Sequence, residues 1–172
     1  MILTRLINRV KAPLPAADRI LNNAEALMFV ILLILTAVLY NVSPSVVPTH
    51  FSLSGIAVKW AGKMFFWNMA IEFAVIIIAL YVSAYFCNLS YRPIDYNSER
   101  QRPYALSARL IRIINLDIAL LWLFKIITSS SGILGIPAEV TSAMFITWLV
   151  LLIIPVIYYL FRIITASLRL IK

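Results

Sequence analysis

Four apolar runs, at about 24–42, 64–87, 106–128 and 141–161, constrain what this chain can become. Each approaches the roughly 20 residues that a helix needs to cross a hydrocarbon core of about 30 Å. Inside lipid every backbone N–H and C=O must be satisfied by the chain itself, so a spanning segment is either a helix or a strand of a closed barrel. None of the runs alternates apolar and polar residues as a barrel strand does. The prediction is an all-α, polytopic membrane protein with four transmembrane helices in a single domain, 1–172. Composition agrees. The chain is 63% hydrophobic, against about 45–50% for an ordinary soluble domain, and a soluble fold of this size would leave the excess exposed. The first run is followed by NVSPS, which offers no small-x-small cleavage site. It is expected to stay as the first helix rather than to be removed as a signal peptide.

Charge gives the orientation. The 15 Lys and Arg outnumber the 7 Asp and Glu, and their placement follows the apolar runs. Twelve lie before the first run, around the link between the second and third, or after the fourth; only Lys59 and Lys63 lie in the first loop, and Lys125 lies within the third run. Short loops rich in Lys and Arg stay in the cytoplasm. Both termini and the segment 88–105 are therefore expected to be cytoplasmic. The basic residues are read as topology signals and contacts to anionic membrane lipids, not as a nucleic-acid surface. Residues 1–11, MILTRLINRVK, place Ile2, Leu3, Leu6, Ile7 and Val10 at helical spacing, which predicts an amphipathic interfacial helix ended by Pro13 and Pro15. The tail RIITASLRLIK repeats that character more weakly. The lone Cys87 allows no internal disulfide and no thiolate metal site.

Ionisable residues within apolar runs are costly and are function candidates by default. Here they are taken as Glu72, Asp117 and Lys125, with Asn68 one turn before Glu72. Counting along antiparallel helices puts Glu72 about 6 Å and Lys125 about 9 Å to the outer side of the midplane. A Glu72–Lys125 pair is expected, with Asn68 on the same interior face. Asp117 stands about 12 Å along the helix from Lys125, so Arg112 or a tyrosine is its expected partner. Bundle cohesion explains these residues as well as an ion path does. Transporters are usually larger and built from internal repeats, and no repeat is visible here.

The loop 43–63, SPSVVPTHFSLSGIAVKWAGK, is odd for a plain connector. Pro44 and Pro48 favour extended backbone before them, Gly55 and Gly62 permit turns, and Trp60 and Lys63 suit a membrane interface. The loop is expected to be ordered against the helix ends. His50 is the only histidine, and the only outside carboxylate is Glu139, so one chain cannot assemble a metal site, although an oligomer could add copies. Ser45, Ser52 and Ser54 lie near His50 without a carboxylate to orient it, so no catalytic residue is assigned. No cofactor is implied.

The series Pro48, His50, Phe51, Gly55, Trp60 and Lys63 resembles the signature of the DUF1648 family of bacterial membrane proteins. Ser52 stands where that family usually has asparagine, and Val58 where it usually has aspartate. The missing carboxylate weakens any cation-binding or acid–base role implied by the motif. The likeness continues loosely into the Arg-rich 97–113 segment. The same domain stands at the front of the longer SdpI-type immunity proteins, which protect a bacterium from its own secreted toxin and signal to a repressor. The resemblance therefore implies a non-enzymatic role in envelope sensing, immunity or regulation through the loop 43–63. The implied partners are a secreted peptide or toxin outside and a regulator inside. A small transporter or ion-conducting oligomer using Asp117, Glu72 and Lys125 is the alternative.

Overall fold

The computed structural model describes residues 15–52, 54, 56–90 and 102–169. The expected amphipathic helix at 1–11, Gly55 and most of the 88–105 segment fall outside them. The elements run α1 (Ala16–Val42), β1 (Val46–Phe51), β2 (Ala57–Gly62), α2 (Phe65–Ser90), α3 (Arg102–Ser129), α4 (Ser131–Leu134) and α5 (Ala138–Arg169). The fold is mostly helical, as expected. Three segments, Ala16–Val42, Phe65–Phe86 and Ser142–Arg169, are long and apolar enough to cross a membrane.

α3 differs from these three in its position and its polarity. It packs against α1, α2 and α5 and is the central helix of the bundle. One buried stripe runs Ala105, Ala108, Arg112, Asn115, Ala119, Trp122, Ile126 and Ser129; a second includes Leu110, Asp117 and Thr128. The first stripe advances by three and four residues, the period of two helices packed side by side with a small crossing angle. Because neighbouring helices cover both stripes, α3 can hold Arg112, Asn115 and Asp117 out of contact with its surroundings.

α1 supplies the matching stripe. Asp18, Glu25, Leu32 and Leu39 recur every seven residues and are all buried. Asn22, Phe29 and Thr36 fill the intervening positions. The stripe changes character along its length, polar at the start of the helix and apolar towards the hairpin. The apolar half joins Phe66, Met69 and Ile77 of α2 and Trp122 of α3 in one core. Trp122 is fully buried there, stacked on Phe73 at 5.9 Å and 7° and met edge-on by Phe29 at 6.1 Å.

The structure corrects the sequence reading at two places in the fold. The 43–63 loop contains an antiparallel hairpin, so the protein is not wholly α. Its strands, VVPTHF and AVKWAG, are rich in the β-branched and aromatic residues that suit a pleated ribbon. A lone hairpin is marginal in water; here β1 packs on α3, with Val47 and Thr49 buried. The tail, read as a separate interfacial segment, instead continues α5 unbroken to Arg169. Pro155 lies within that helix and leaves the Leu151 carbonyl without its usual donor.

Candidate functional site

The hairpin register brings the loop motif together. Val46 pairs with Gly62, Pro48 with Trp60, His50 with Lys59 and Phe51 with Ala57. Thr49 and Val58 are left as extra residues of two successive irregularities on either side of His50. Such bulges bend a ribbon and re-aim its side chains. Here Pro48 is buried, Phe51 half-buried, and His50 and Trp60 exposed. Exposure of His50 rules out the core-packing role that a lone histidine often has. Its Nδ1 lies 3.1 Å from the Thr49 hydroxyl, which donates to the Lys59 carbonyl at 3.4 Å.

The two departures from the family pattern have different consequences. Ser52 closes the turn: its N–H donates to the Ile56 carbonyl at 2.8 Å, and its Oγ accepts from the Ile56 N–H at 3.1 Å. Asparagine and serine both make such local bonds, so the exchange preserves the turn chemistry. Val58 is an exposed apolar residue at the bulge. It removes a carboxylate from beside the His50–Lys59 pair. Lys63 closes the base of the hairpin through its N–H to the Ser45 carbonyl, and its Nζ sits 4.7 Å from the centre of the Tyr40 ring.

A cavity of about 320 Å³ lies between the hairpin, α3 and α5. Phe51 and Ser52 come from the hairpin, Lys125 and Thr128 from α3, and Phe145 and Ile146 from α5. The lining is mostly apolar with one ammonium, within the size range of small-ligand sites. Phe51, a motif residue, and Lys125, the cation within the third apolar run, thus share a cavity that neither sequence argument connected.

The remaining polar candidates of the apolar runs do not converge. The core face of α2 is Phe66, Met69, Ala70 and Ile77, whereas Asn68 and Glu72 are exposed on the far side. The expected Glu72–Lys125 pair does not form. Glu72 directly precedes Phe73, which stacks on Trp122, so it sits about 100° around α2 from the side facing the helix that carries Lys125. Arg112 does not serve Asp117 either. It faces α1, and Asp117 faces α5, where the Trp148 indole N–H donates to the Asp117 carbonyl at 3.0 Å. The Asp117 Oδ2 is buried without a hydrogen-bond partner among the described residues.

A polar seam between α1 and α3 was missed altogether. Arg109 Nε donates to Asp18 Oδ1 at 2.8 Å, Arg112 Nε to Asn22 Oδ1 at 2.7 Å, and Asn115 Nδ2 to Glu25 Oε2 at 3.3 Å. Arg112 also lies 3.9 Å from Asp18. The rungs keep a constant register, because both helices start at the same end of the bundle. The signal was present in the sequence: acidic and amide residues at 18, 22 and 25 match basic and amide residues at 109, 112 and 115.

Comparison with known families bears on the hairpin and not on the seam. Residues 27–71 match DUF1648, a domain of unknown function. The DUF1648 segment covers most of α1, the whole hairpin and the first turns of α2. It therefore contains Pro48, His50, Phe51, Gly55, Trp60, Lys63 and Asn68, and ends just before Glu72. No curated protein and no solved structure matches the chain.

Proposed function

We propose that this chain is a non-enzymatic membrane protein that spans the bacterial inner membrane four times and recognises a ligand beneath an external hairpin. In this reading α3 is the fourth span, shielded from lipid by its three neighbours, and both termini are cytoplasmic. The observation that carries it is the cavity shared by Phe51 and Ser52 of the DUF1648 segment with Lys125 of α3. An apolar site with a single cation suits an amphipathic ligand, one whose carboxylate meets Lys125 and whose apolar part lies on Phe51 and Phe145. A secreted hydrophobic peptide has that chemistry, in keeping with an immunity or sensing role. Occupancy would be passed inward through α3, the one helix that touches the hairpin and every other span.

The transport alternative draws no support from the placement of its residues. Asp117 and Lys125 both lie on the α3–α5 side, but Glu72 is exposed on α2 and apart from them. The hairpin offers His50 without a carboxylate beside it, so an acid–base role lacks its orienting partner.

The test is a photocrosslinker, p-benzoylphenylalanine, in place of Phe51, irradiated in native membranes and read by mass spectrometry. A discrete peptide adduct is expected, reduced at least tenfold in the Lys125→Gln background and little changed by His50→Ala. Adducts confined to lipid or to the protein itself would remove the recognition role.

A further inference from the structure

At the end of the bundle away from the hairpin, the start of α3 and the C-terminal part of α5 enclose a cavity of about 270 Å³. Arg102, Arg162 and Arg169 line it, together with Phe161 and Thr165. Three guanidinium groups around one space repel one another unless an anion sits among them. Among the described residues none of the three forms an ion pair, whereas Arg109 and Arg112 nearby on α3 are both matched to Asp18. Arg162 is also held in place: its Nη1 donates to the Tyr158 hydroxyl at 2.7 Å, and its guanidinium lies 5.6 Å from the centre of that ring. A fixed guanidinium loses less freedom on binding an oxyanion.

We infer that this cavity is a phosphate-binding site. The occupant it fits is the headgroup of an anionic phospholipid. Phe161, Ile164 and Leu168 form an exposed apolar stripe along α5, and the stripe starts at the cavity wall. A phosphate held by the arginines would leave acyl chains lying on it. The site would anchor the start of α3 and the end of α5 to the headgroup layer.

Native mass spectrometry of the full-length protein in a neutral detergent tests the assignment, with phosphatidylglycerol titrated against phosphatidylcholine. One phosphatidylglycerol should be retained in preference. Arg102→Gln, Arg162→Gln and Arg169→Gln should each weaken it about fivefold, at about 1 kcal/mol per basic residue, and together abolish the preference. Lys59→Gln, at the hairpin, should leave it unchanged, and circular dichroism should report the same helix content throughout. Displacement of the lipid by millimolar inorganic phosphate would keep the phosphate site and assign it to a soluble ligand. A preference that survives the triple substitution, or falls equally in Lys59→Gln, would overturn the proposal.

Discussion

Replacing Asp18 with alanine should be among the most damaging single changes in this protein, costing about 3–5 kcal/mol. Asp18 is 1% exposed and is the ion-pair partner of both Arg109 and Arg112. Its loss affects the two arginines differently. The Arg109 side chain is 26% exposed and can turn to water or headgroups, whereas Arg112 is 2% exposed and would keep a buried charge without its partner. The penalty arises from that stranded charge, not from the value of the pair itself. A double substitution, Asp18→Leu with Arg112→Met, removes both charges and should regain most of the stability, since apolar replacements of buried ion pairs are often neutral or better. Unfolding in mixed detergent micelles measures both. A loss under about 1 kcal/mol for Asp18→Ala would mean that the seam does not hold α1 to α3.

The second large effect is expected at Trp122. It is fully buried at the crossing of α1, α2 and α3, with Phe73 stacked on one face and Phe29 against its edge. Trp122→Ala should cost about 3–5 kcal/mol, from lost packing and the cavity left behind. Part of that, about 0.5–1.5 kcal/mol for each aromatic pair, should return in Trp122→Phe. The same unfolding assay reads it. Equal losses in the alanine and phenylalanine variants would contradict the expectation, since a phenyl ring would then recover none of the packing.

Hydropathy revealed the helices because lipid leaves the backbone no other way to satisfy itself. It placed a helix at the third run, although α3 is less apolar than its neighbours and is not among the three segments apolar enough to cross a membrane. It could not show why α3 tolerates Arg112 and Asp117, because that depends on which helices surround it. The hairpin was legible as order but not as strands, since Pro48 and the bulges at Thr49 and Val58 break the alternation that marks a ribbon. For the polar residues of the apolar runs, direction was not legible: the core face of α2 is Phe66, Met69, Ala70 and Ile77, and Glu72 lies exposed beside it. The seam was overlooked for a related reason. Basic residues beside the third run read as topology charges, so their match in spacing to Asp18, Asn22 and Glu25 on a distant segment is not apparent along the chain. The Phe51–Lys125 cavity needed three elements in space, and no pattern along the chain encodes it.

The central claim, a bundle with its hairpin outside and both ends inside, is tested most directly by cysteine labelling in a Cys87→Ala background. Ser54→Cys stands at the exposed hairpin tip and Arg19→Cys at the exposed start of α1. A membrane-impermeant maleimide should label Ser54→Cys in intact cells and Arg19→Cys only after permeabilisation. The opposite pattern, or labelling of both in intact cells, would contradict the topology and with it the external recognition site.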